Sequence, residues 1–107
     1  MMKLVRGDDV LRAILSGELD HHSAREIRAE LDAVLCEMMP HMLILDFGDV
    51  TFMDSSGVGL IMGRYKLLQS FGGEVTVENA PPRLEQMLRL SGVGQLAQIR
   101  TEKGNDE

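Results

Sequence analysis

Two adjacent serines, Ser55 and Ser56, follow Asp54 directly and precede Gly57-Val58-Gly59, within the run FMDSSGVGLIMGRYK from Phe52 to Lys66. Such residues at the start of an amphipathic run have four chemistries open to them. A serine can cap a helix by accepting hydrogen bonds from the backbone N–H groups of its first turn. It can be a nucleophile, if a base lies beside it. The unpartnered amides and the dipole of a helix start can cradle a phosphate. Finally, the serine can itself be phosphorylated, at a place where the helix dipole favours the added negative charge.

Spacing discriminates among these. A hydrolase nucleophile elbow needs G-x-S-x-G and a histidine that follows the serine. Neither serine has glycine two residues away on both sides, and His21, His22 and His41 all precede them. For a nucleotide, Gly57-Val58-Gly59 lacks the third glycine, since Met62 holds its place, and there is no G-x-x-x-x-G-K-[ST]. A small phosphate or nucleotide site at the helix start stays open. So does a pure capping role, although one serine suffices for a cap and the second is then surplus and exposed. Asp54 would repel a phosphate that the helix welcomes. That conflict suits a switch in which modification changes local charge by about −1.5 to −2. The adjacent His21 and His22 diverge in any regular element and read as solvated loop residues, without the cysteines or acids of a metal set. Cys36, the one cysteine, falls in a helical run and reads as a small core hydrophobe.

These residues need elements to position them. Lys3 to Arg6 and Val10 to Leu15 read as strands joined by the turn Gly7-Asp8-Asp9, the second ending at Ser16-Gly17. Ser23 and Glu26 have capping-box spacing. Ala24, Ile27, Leu31, Val34, Leu35 and Met38 then recur at helical period until Pro40. Met42 to Phe47 is a nearly unbroken apolar run, expected as a strand covered on both faces and broken by Gly48-Asp49. The serine motif opens a helix from about Ser56 to Phe71, ended by Gly72-Gly73. Its expected sheet-facing side is Val58, Ile61, Met62, Tyr65 and Leu68. Gly59 and Gly63 form a smooth flank, and Leu60, Leu67 and Phe71 lie opposite, against a neighbouring helix or a docking protein. Glu74 to Glu78 alternates as a strand. A third helix starts at Pro81 or Pro82, with Leu84, Met87, Leu88 and Leu90 as its apolar face and Gly92 as its end. A short strand near Leu96 to Ile99 precedes a polar tail, residues 101–107, expected to be disordered.

Strands alternating with helices imply crossovers and a mostly parallel sheet, whose strand ends gather their loops at one edge. Asp20, in the loop GELDHHS, is then expected beside Asp54 and Ser55. The 107 residues make one domain with enough chain for a core. Eleven basic against seventeen acidic residues, a net charge of −6, no tryptophan and no basic cluster argue against nucleic acid and anionic membranes as partners. No apolar stretch approaches the ~20 residues that span a bilayer, and the N-terminus has no signal-peptide pattern. The expected location is the cytoplasm.

The segments GELDHH at Gly17 to His22, FMDSSG at Phe52 to Gly57, GRYK at Gly63 to Lys66 and GGE at Gly72 to Glu74 carry a resemblance over nearly the whole chain. The chain resembles the bacterial anti-sigma-factor antagonists of the STAS domain family, most of all its sporulation member. The resemblance implies an α/β STAS fold, a single mixed but mostly parallel sheet of four to five strands with three or more helices. It implies a binding switch rather than an enzyme, with no cofactor. The unmodified protein would bind an anti-sigma factor that is also a serine kinase and so release a sigma factor. Phosphorylation of the first motif serine, Ser55, would end that binding, and a serine phosphatase would reset it. Partner contacts are expected at Asp20, Asp54, Ser56, Gly57, Leu60 and Arg64. Related readings are a STAS scaffold in a stress-signalling assembly or a transport system, and a small nucleotide-binding domain. Family members commonly continue into a C-terminal helix, where this sequence ends in TEKGNDE.

Overall fold

A computed structural model of the chain describes residues 1–100. The elements are β1 (Met2–Arg6), β2 (Val10–Leu19), α1 (His21–Met38), β3 (Met42–Met53), α2 (Ser55–Ser70), β4 (Glu74–Glu78), α3 (Pro82–Ser91), a 3₁₀ turn (Val93–Gln95) and β5 (Gln98–Arg100). The strands form one sheet in the order β1-β2-β3-β4-β5. The β1–β2 pair is antiparallel and all others are parallel. The expected mixed, mostly parallel sheet with alternating helices is the one observed. Residues 101–107, the expected disordered tail, lie outside the described residues.

The sheet has a fully buried face. Leu11, Ala13 and Leu15 of β2, Leu43, Leu45 and Phe47 of β3, and Val75 and Val77 of β4 point into the core. Ala24, Ile27, Leu31 and Leu35 of α1 and Leu60, Ile61 and Leu68 of α2 complete it. Alternation along β3 corrects the expectation of cover on both faces, because Met42, Ile44 and Asp46 are only half-buried. On that opposite face Arg12 bridges Asp46 and Glu78, 3.0 Å from each carboxylate. Strand register sets this up: Ile14 pairs with Asp46, and Asp46 with Glu78.

Both central strands outrun their expected ends. β2 passes through Gly17 to Leu19, and β3 passes through Gly48-Asp49 to Met53. Gly17 has φ of 81°, a left-handed conformation that glycine adopts without a Cβ penalty. The β2–β3 register shifts on each side of it, so the glycine makes a bulge instead of a stop. β4 follows β3 only as far as Asp46, so beyond that point the strand partner of β3 is β2 alone.

Three further expectations change. Cys36 is exposed, because the buried stripe of α1 runs through Leu31 and Leu35 and position 36 turns away from it. In α3, Leu84 and Leu88 are buried, but Leu90 is 81% exposed. The last strand starts at Gln98, after the 3₁₀ turn, and not near Leu96.

Candidate functional site

The long strands β2 and β3 end side by side, Leu19 opposite Met53. Each is followed at once by an aspartate that caps a helix. Asp20 Oδ1 accepts from the Ser23 N–H at 3.0 Å, while the Ser23 hydroxyl accepts from the Asp20 N–H at 3.0 Å. This reciprocal box satisfies orphan amides of the first turn. It also moves the start of α1 ahead of the Ser23/Glu26 box expected from spacing, and places His21 and His22 in the helix rather than a loop. Asp54 Oδ1 accepts from the Ser56 N–H at 2.8 Å. The Asp54 N–H reaches across to the Leu19 carbonyl at 3.3 Å, which ties the two helix starts together. Asp20, Asp54 and Ser55 therefore share one edge of the sheet. The hydrogen bonds from the Ser23 backbone hold the Asp20 carboxyl below its ordinary pKa, against a smaller desolvation that raises it.

With Asp54 as the cap, neither serine is needed for capping. Ser55 and Ser56 are the first two residues of α2. Ser55 is exposed, whereas Ser56 is half-buried with its N–H already engaged. Gly57 is buried. A Cβ there would overlap Met53 Cγ and Sδ and lie 3.2 Å from Leu19 Cδ2. This glycine admits the Met53 side chain beneath the helix start, so its bareness serves packing.

The buried stripe of α2 is Gly57, Leu60, Ile61, Arg64 and Leu68. Of the expected sheet-facing side, Val58, Met62 and Tyr65 are only half-buried. The stripe is rotated because a charged residue belongs to it. Arg64, 5% exposed, sets its Nε 2.8 Å from Asp32 Oδ1 and donates from Nη2 to Oδ2 at 3.2 Å. Its Nη1 donates to the Leu60 carbonyl at 3.4 Å. This ion pair, held by one hydrogen bond while Nε and Oδ1 stay without one, links α2 to α1. Burial lowers the Arg64 pKa, Asp32 pulls it back up, and the nearby charge of Arg28 lowers it further. Leu60, 4% exposed, is core, which favours the expected packing against a neighbouring helix over the docking face. Arg64 is a structural ion-pair member before it is anything else.

A cavity of about 260 Å³ opens between α1 and α2 beside the serines. His21, Arg25 and Arg28 line it from α1, and Ser56, Gly59 and Gly63 from α2. Nothing in the sequence reading singled out Arg25 and Arg28; their spacing with His21 along one flank of α1 was the available signal. Among the described residues, no helix is long and apolar enough to cross a membrane.

The STAS domain family model matches residues 2–104. An anti-sigma F factor antagonist of Paenibacillus polymyxa is 38% identical over 96 residues, which cover 90% of this chain and 82% of that protein. Among solved structures, SpoIIAA in its unphosphorylated form superposes with a TM-score of 0.83 at 31% identity, covering 98% of this chain and 92% of that one. The phosphorylated form of the Bacillus cell fate determinant SpoIIAA gives 0.75 at 31% identity, covering 98% and 96%. With the family model spanning nearly all of the described chain and the solved relative superposing over 98% of it, the chain belongs to the STAS domain family, among the anti-sigma-factor antagonists.

Proposed function

We propose that this protein is an anti-sigma-factor antagonist that docks on an anti-sigma factor with serine kinase activity, releases a sigma factor, and is switched off by phosphorylation at Ser55. The observation that carries this reading is the position of Ser55: exposed, first in α2, beside a cap that Asp54 already supplies. Its hydroxyl has no capping duty to lose, and the helix start tolerates the new charge. Ser56, half-buried and with its amide engaged, fits the acceptor role less well. Asp20, Asp54 and Ser56 form the rest of the docking corner, Gly57 shapes it from beneath by its packing on Met53, and Arg64 supports it from within. The reading is of a non-enzymatic cytoplasmic regulator, with a serine phosphatase as the second partner. The reading takes sporulation as the setting, supported by the likeness to anti-sigma F factor antagonists and to SpoIIAA.

The switch needs no refolding. A phosphate beside Asp54 sets two anions in one interface, and like-charge juxtaposition costs several kcal/mol. About 3 kcal/mol weakens binding roughly a hundredfold. Incubation with the cognate kinase and ATP, followed by mass spectrometry, is expected to place one phosphate on Ser55. Ser55→Ala is expected to bind the kinase and take no phosphate, and Ser55→Asp to bind poorly. Label on Ser56 alone, or a phosphoprotein that binds as tightly as the unmodified form, would overturn the reading.

A further inference from the structure

We infer that the groove between α1 and α2 is a second docking element, one that receives acidic side chains of the same protein partner that reaches Ser55. The inference rests on the proposed function and adds a site to it. Three observations converge on the groove. Its α2 wall has no side chains at two mid-helix positions, and a Cβ at Gly59 or Gly63 would meet nothing within 4 Å. Neither glycine has the positive φ that would require it. Mid-helix glycine costs helix stability relative to alanine, so these two positions forgo stability for open space that this chain's own packing does not use. The α1 wall carries Arg25 and Arg28, both exposed, and among the described residues neither has a carboxylate within 4 Å. Of the acids near this flank, Asp32 pairs with Arg64, and Glu26 lies 3.6 Å from His22 rather than beside either arginine. Arg28 is close enough to Arg64 for its charge to be felt there.

The local sign is therefore opposite to that of the molecule. In a chain of net charge −6, two guanidinium groups without an ion pair among the described residues face one cavity, with a third, that of Arg64 paired to Asp32, in its lining. Guanidinium groups match carboxylates with paired N–H donors, and complementary charge sets orientation as well as attraction. The groove runs from Ser56 to Gly63, continuous with the corner that presents Ser55. An acidic segment laid in it would orient the partner so that its kinase centre faces that serine.

The test uses the intact protein and its cognate anti-sigma factor kinase, with Kd measured at several salt concentrations. The double reversal Arg25→Glu/Arg28→Glu is expected to raise Kd at least tenfold and to flatten its salt dependence. Gly63→Leu fills the groove about two turns from Ser55 and is expected to weaken binding about tenfold while leaving the thermal midpoint unchanged or higher. Binding by both variants within twofold of the wild type overturns the groove assignment and leaves the Ser55 reading intact. If the wild-type protein fails to bind the kinase, the function itself falls, and the groove's role with it. A wild-type dimer that Gly63→Leu converts to monomer would place a second copy in the groove and also overturn the inference.

Discussion

Removing Asp32 is expected to destabilise the fold more than removing the arginine it serves. Arg64 is 5% exposed, and its Nη2 donates to Asp32 while Nε lies against Oδ1 without a hydrogen bond. In Asp32→Ala the cation stays buried without its counter-ion and with Nη2 newly unpaired. Breaking a fully buried pair costs about 3–5 kcal/mol. The Asp32 side chain is 34% exposed, so water screens the pair and can reach part of the site. The expected cost is then about 2–3 kcal/mol. Arg64→Met removes the charge and keeps an apolar stem in the core. It leaves a carboxylate about one-third exposed to water, and gives up the Nη2 bond to Asp32 and a long one to the Leu60 carbonyl. Its expected cost is about 1 kcal/mol. For a domain near this size each kcal/mol moves the thermal midpoint by about 4–8 °C, so Asp32→Ala should melt roughly 10 °C or more below the wild type. Urea titration with unchanged m would give the free energies. The double variant should resemble Arg64→Met alone, because the penalty of the first change needs the second residue. Equal losses for the two single variants, or additive loss in the double, would refute the reasoning.

Two further outcomes follow from the caps and the core beneath them. Because hydrogen bonds from Ser23 hold the Asp20 carboxyl below 3.8, the unfolded state binds the proton first as pH falls. That contribution is present above about pH 4 and is lost as pH falls below it. Asp20→Ala should lower the denaturation midpoint at neutral pH and flatten the acid limb of a stability-against-pH curve; an unchanged limb would show that the cap does not titrate with folding. Gly57→Ala gains up to about 1 kcal/mol of helix propensity but overlaps Met53, and overpacking costs about 1–3 kcal/mol. A net loss is expected by chemical denaturation, and an alanine variant as stable as the wild type would mean that Met53 has room to swing aside.

The order of elements was legible because periodicity reports which residues share a face, and here helical and strand periods alternate cleanly along the chain. The junction of Asp20, Asp54 and Ser55 at one edge followed from parallel topology, and Leu19 opposite Met53 provides it. Element ends were less legible. Glycine at 17 and 48 reads as a stop, yet a bulge absorbs Gly17 and the β3 ladder runs past Gly48, because the partner strand supplies hydrogen bonds that local propensity cannot count. The caps were misplaced because Asp-x-x-Ser and Ser-x-x-Glu both satisfy a first turn; which one acts depends on where the preceding strand lets go. Arg64 was expected as a partner contact through the resemblance alone; its burial was not legible because its partner, Asp32, lies on another helix, distant in sequence. Cys36 went the other way: its apolar character argued for the core, while its phase on α1 puts it in solvent.

The outward run of β2 and β3 past β4 gives the domain a promontory. Both helix starts hang from its tip, tied by the Asp54 to Leu19 hydrogen bond. A protein that grasps the tip can enclose it from several sides without touching β4, α3 or β5. Yet β1 starts opposite Leu15, and β5, parallel to β3, ends level with Glu78. The described chain thus enters and leaves on the promontory's own side of the sheet, and anything joined at either point would share that side with a docked protein.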